Sequence, residues 1–216
     1  MANTREHDKI ALPTNTTHIS TWCIYLKKIK SHEPILRNSC ECLLVNGKKN
    51  RSKLGDLERF GLLKIVDDYV SVTDLGYELI DIFDENDECI VDEISKTAMM
   101  LRIFKSWHVT NKGRDIHPGS IIIDLLMDPL LEGYISDHEV AYFVSNKDFK
   151  FDNQYEEIRD YILAFRKSGG LCIAQTKTTK AYIFMPTFVN DWEIFEKIID
   201  VSIVYDEDTE IFSLND

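Results

Sequence analysis

Apolar residues recur along this chain with a changing period, and the period predicts its elements. In residues 20–31, Trp22, Ile24, Tyr25 and Ile29 stand among lysines at helical spacing. Glu33-Pro34 interrupts that pattern, because proline disfavours a helical conformation in the residue before it. Residues 35–45 form a second apolar segment that fits a helix or a strand, and Asn46-Gly47 reads as a turn. Leu54, Leu57 and Phe60 return to helical spacing, and Gly61 sits where a left-handed residue would end that helix. Residues 62–66 read as a strand, Asp67-Asp68 as a tight turn, and residues 69–72 as a second strand in which Val70 and Val72 alternate with Tyr69 and Ser71. Thr73 is a good helix N-cap with Asp74 in the first turn, and Leu75, Leu79, Ile82 and Phe83 line one face of the helix that follows.

The second half repeats the theme. Residues 96–106 read as a helix with Met99, Met100, Ile103 and Phe104 inward, and residues 107–119, WHVTNKGRDIHPG, as a polar loop. Residues 120–131 read as a buried helix. Ser136 and Glu139 form a capping box, in which each side chain closes a free backbone donor of the other residue, and a helix runs from it to about residue 144. Residues 153–167 carry a stripe of Tyr155, Ile158, Tyr161, Ile162 and Phe165, and Ser168-Gly169-Gly170 ends that helix. Residues 171–185 read as two strands around Lys177-Thr178-Thr179-Lys180. A capping pattern at residues 190–193 opens a last helix, and strand, acidic turn and strand close the chain.

Helix, short hairpin and helix is the closing half of a winged helix, and the chain ends on a second helix-plus-wing of similar plan. The predicted fold class is α+β, mostly helical, with two winged-helix-like subdomains, each with a short β-hairpin wing. The predicted division is 1–94 and 95–216.

Charge sharpens this picture. The chain of 216 residues has a net charge of -12, but unevenly placed. Residues 27–53 hold eight basic side chains against two acids, a net of +6, whereas residues 81–93 hold seven acids and no base. The tail from residue 191 onward has nine acids and one lysine. A phosphate backbone needs a local positive surface rather than a positive protein. The Asp67-Asp68 tip would repel phosphates, so the helix before the wing and the basic loop of residues 47–53 are the better contact positions.

Candidate chemistry is sparse. There is no Gly-rich phosphate loop, nucleophile elbow or His-Glu-x-x-His pair. Cys40-Glu41-Cys42 with Cys23 and His32 lacks the spacing of a zinc site, and five cysteines read as reduced, mostly buried thiols. Asp148-Phe149-Lys150 fits part of a magnesium-dependent nuclease motif without its hydrophobic strand. No apolar run spans a bilayer and the first residues carry no secretory signal, so the expected location is cytoplasmic.

Three ordered segments resemble the AlwI-like family of type IIS restriction and nicking endonucleases: LERFGLLKIVDDYVSVTDLGYELI, HPGSIIIDLLMDPLLEGYISDHEVAYFVSN, and the helix with YEEIRDYILAFRK followed by the terminal wing. The resemblance covers residues 51–215. It implies the N-terminal DNA-recognition region of such an enzyme, with double-stranded DNA as partner. It also implies a PD-(D/E)XK nuclease domain or subunit elsewhere that uses Mg2+, and no cofactor, catalytic residue or metal in this chain. The residue types that position a protein on phosphates and read base edges are then Lys48, Lys49, Asn50, Arg51 and Lys53 in the first subdomain. Lys112, Arg114, Lys177 and Lys180 fill that role in the second. Two other readings compete. One is an acidic winged-helix protein-interaction module, and the other is a complete small nuclease using Asp148 and Lys150.

Overall fold

The computed structural model describes residues 19–43, 51–111, 114–136, 139–140, 154–169 and 203–214. The first subdomain runs α1 (Ile19–Lys30), β1 (Ile35–Leu36), α2 (Arg37–Leu43), α3 (Arg51–Arg59), β2 (Leu63–Val66), β3 (Tyr69–Val72) and α4 (Asp74–Asp81). Its sheet is antiparallel in the order β1-β3-β2, with Ile35 and Ile65 both opposite Val70. The ambiguous apolar segment therefore divides: two residues join the sheet as β1, and the chain turns at once into α2.

Local chemistry explains the joints. Gly61 has a φ of 68°, and the turn around it closes α3 twice. Leu62 N donates to Leu57 O at 2.9 Å, and Gly61 N donates to Glu58 O at 2.9 Å. This is the Schellman pattern, and its left-handed residue is strained for any side chain but glycine. Asp67 and Asp68 have φ of 49° and 63°, the two-residue turn whose twist matches a tight hairpin. Thr73 accepts from Gly76 N at 3.1 Å to cap α4, and its hydroxyl donates to Gly61 O, so one side chain joins the end of α3 to the start of α4. Gly76 permits this closeness, since a Cβ there would lie 2.3 Å from Leu62 O.

The second subdomain runs α5 (Glu93–Ser106), a hairpin of β4 (Val109–Asn111) and β5 (Arg114–Ile116), α6 (Pro118–Met127), a 3-10 turn (Pro129–Leu131), β6 (Tyr134–Ser136), α7 (Gln154–Lys167), β7 (Ile203–Asp206) and β8 (Ile211–Leu214). Its sheet has the order β6-β8-β7. In both sheets the earliest strand pairs with the last and the middle strand is at the edge. The chain is thus α+β and mostly helical, built of two winged-helix-like units. Helices α5 and α6 cross at backbone contact, because a Cβ on Gly119 would meet Phe104 O at 2.0 Å.

Three expectations change. Residues 107–119 are not a polar loop: Trp107 is fully buried, and β4 pairs with β5 from Val109↔Ile116 to Asn111↔Arg114. The apolar helix begins at Pro118 and ends at Met127, where Asp128 breaks it and caps the next turn by accepting from Leu130 N at 2.8 Å. On α7, Ile158 and Ile162 face the core, but Tyr161 is exposed. The expected capping box is present, with Ser136 N donating to Glu139 Oε2 at 2.9 Å and Glu139 N donating to Ser136 Oγ at 3.3 Å. The strands of residues 171–185 and the helix near residue 191 lie outside the described residues. The terminal strand, acidic turn and strand are β7 and β8.

A single apolar core runs through both units. Its middle is an aromatic column: Trp22 to Phe60 at 5.3 Å between ring centroids, Phe60 to Trp107 at 6.1 Å, and Trp107 to Phe104 at 6.0 Å. Such ring pairs add about 0.5–1.5 kcal/mol each beyond the area they bury. His108 N donates to Arg59 O at 2.8 Å, and Ser106 Oγ donates to Phe60 O, so the end of α5 is stitched to the end of α3.

Candidate nucleic-acid interface

Helix α3 lies directly before the β2–β3 wing. Leu54, Leu57 and Phe60 are wholly buried and fix its rotation. The opposite side begins one turn apart at Arg51 and Gly55 and ends at Glu58 and Arg59. Among the described residues nothing lies within 4 Å of the place a Gly55 Cβ would take. Arg59 is exposed, 3.7 Å from the Asp56 carboxylate. Burial pushes the Asp56 carboxyl up to about 6, with Arg59 and Lys53 pulling the other way.

Part of the basic surface expected from residues 27–53 is engaged by neighbours within the chain. Lys27 Nζ donates to Asp87 Oδ1 at 2.7 Å and to Asp84 O at 2.6 Å. Lys30 lies over the Tyr77 ring at 5.0 Å, and Arg37 sits 3.6 Å from the buried Glu41. The acidic stretch at residues 81–93 therefore neutralises part of the basic one instead of standing apart in solvent. Asp84 accepts from the backbone N of Asn86 and Glu88 at 2.8 and 2.9 Å, and these bonds lower its pKa.

Of the sequence-predicted contact residues, Lys53 is described with its side chain. It is half-buried, donating to Tyr25 Oη at 2.8 Å and lying 5.1 Å from that ring. Arg51 opens α3 and Arg114 opens β5. Lys48, Lys49, Asn50, Lys112, Lys177 and Lys180 lie outside the described residues, as do Asp148 and Lys150. Among the described residues, no three His, Cys, Asp or Glu side chains gather as metal ligands, and Cys23 and Cys40 are buried.

The wing offers a different surface. Leu36, Tyr69 and Val66 are neighbours in register across the sheet, all exposed, with Lys64 beside them on the same face. The sequence pattern gave no weight to Gly55 or to this row. The signal for Gly55 was a glycine inside a helical run without a turn to serve, and that for the row was the alternation of Tyr69 with the buried Val70.

No helix among the described residues is long and apolar enough to cross a membrane. No family model and no curated protein sequence matches the chain. One solved structure that aligns with it is the binding domain of the BpuJ1 endonuclease, in complex with pyrene- and phenanthrene-modified DNA. The alignment covers 90% of this chain and 74% of that one, with a TM-score of 0.48 and 13% sequence identity.

Proposed function

We propose that this chain is a sequence-specific double-stranded DNA recognition module of a restriction endonuclease, of the type IIS, AlwI-like kind its sequence resembles. The observation that carries the reading is the setting of α3. Its apolar side is locked into the core, its other side is open among the described residues, and the basic run of residues 47–53 leads into it. In this reading the chain divides into two recognition subdomains near the predicted boundary of residues 94 and 95, at the start of α5. Basic side chains at Lys48, Lys49, Arg51 and Lys53 position the module on phosphates, and Asn50 is of the residue type that reads base edges. Lys112, Arg114, Lys177 and Lys180 act similarly from the second subdomain. Strand cleavage belongs to a separate PD-(D/E)XK domain or subunit, where Mg2+ would act as Lewis acid.

Counterion release tests the reading. Binding to a duplex should weaken by about tenfold or more between about 50 and about 200 mM salt. Neutralising Lys48, Lys49 and Arg51 together should flatten that dependence. Duplex affinity indifferent to both would contradict it.

The competing reading, an acidic protein-interaction module, is favoured by one observation. Glu85, Glu88 and Glu93 are exposed on the segment that holds Lys27. Such a module would bind its partner equally well after the three basic residues are neutralised.

A further inference from the structure

A glycine inside a helix destabilises it relative to alanine, so its presence calls for a physical reason. Five of the six described glycines have one. Gly61, Gly133 and Gly169 have φ of 68°, 77° and 66°, a conformation other residues rarely adopt. Gly76 and Gly119 touch backbone oxygens at 2.3 and 2.0 Å from where a Cβ would stand. Gly55 has neither. It lies in the middle of α3, its φ is not positive, and an added methyl group would meet nothing within 4 Å among the described residues.

We infer that the reason for Gly55 lies outside the chain: the α3 backbone at Gly55 is the point of closest approach to bound duplex DNA, and the absence of a side chain there sets the depth to which α3 enters the groove. Its position supports this. Gly55 is one turn after Arg51 and one turn before Arg59, on the side opposite Leu54 and Leu57. A bare stretch of backbone between two basic positions permits contact with base edges or sugars while the basic residues reach phosphates on either side. Glycine serves this end where a backbone must come close to a ligand.

The inference rests on the DNA-recognition reading, and the experiment separates the two. Wild-type chain is first used to enrich duplexes from a randomised pool, and affinity for the enriched duplex is then compared with that of Gly55→Ala, Gly55→Gln and Ala98→Gln. Ala98 is an exposed position on α5. Gly55→Ala should melt at the wild-type temperature or a few degrees higher, yet bind about tenfold more weakly, with Gly55→Gln weaker still. Ala98→Gln should bind as wild type does. If both Gly55 variants bind like wild type, the inference is wrong and the DNA reading stands. If wild type enriches no duplex, the DNA reading fails and takes the inference with it. A Gly55→Ala chain that melts below wild type would contradict the open geometry on which the inference is built.

Discussion

The two sheet-bearing units share a strand order but are held together by different physics. In the first, the hairpin turns on Asp67 and Asp68, two left-handed residues with nothing to spare, and the sheet is fixed to its helices mainly by apolar contact. The carboxylate that meets its sheet, Glu33, accepts from Val72 N and from Tyr77 Oη at 2.7 Å, and two further carboxylates, Glu41 and Asp56, are buried on its helices. In the second, a longer acidic turn joins β7 to β8, with Asp206 accepting from Asp208 N at 2.9 Å. An ion pair lies at its centre: Arg166 Nε donates to Glu139 Oε1 at 2.7 Å while its other nitrogens donate to Leu131 O and Tyr134 O. The guanidinium also stacks 4.1 Å over the Tyr134 ring. Apolar contact does not depend on the charge state of any one side chain, whereas a central charge pair depends on both charges remaining in place.

The largest test of that contrast is Arg166→Met. Leaving Glu139 buried and unpaired should destabilise the chain by about 3–5 kcal/mol in denaturant unfolding. Replacing Glu139 with Leu as well should recover most of that loss. A loss below about 1 kcal/mol would mean the pair is not the anchor of the second unit.

Next in size is Asp56→Asn in the first unit. The folded chain keeps this carboxyl protonated up to about pH 6, while the unfolded chain releases its proton near 3.8, so rising pH through that window favours unfolding. Stability curves of wild type and variant should coincide near pH 4 and separate by about 2 kcal/mol at pH 7, the variant being the more stable, allowing for solvent screening. Parallel curves would contradict burial as the cause.

Smaller effects should match across the two units. Thr73→Ala and Ser136→Ala each remove one N-terminal cap, and each should lower stability by about 1 kcal/mol by thermal melting. Smallest is the exposed pair of Arg102 and Glu78, joining α5 to α4. Arg102→Ala should change stability by less than about 0.5 kcal/mol, since exposed ion pairs add little.

What was legible in the sequence was local chemistry. Gly61, the Asp67-Asp68 turn, Thr73 and the Ser136–Glu139 box each act within a few residues, so their spacing discloses their roles. What was not legible depends on distant chain. Trp107 stands in a polar run, and its burial is decided by Phe60 and Phe104. Ile35 and Leu36 are a strand only because β3 lies beside them. Lys27 looked like part of a phosphate-binding surface, and its partner Asp87 comes from another segment altogether. For the candidate site, the sequence proposes the helix before the wing and its basic approach, of which Lys48, Lys49 and Asn50 lie outside the described residues. It did not show which side of that helix is open, since that follows from how Leu54 and Leu57 pack.

The most direct test of the central claim is amide hydrogen exchange of the whole chain with and without an enriched duplex. Slowed exchange in α3 around Gly55 and in residues 47–53, with α5 unchanged, is the predicted result. Protection confined to residues 81–93, or no change in α3 when DNA is bound, would contradict it.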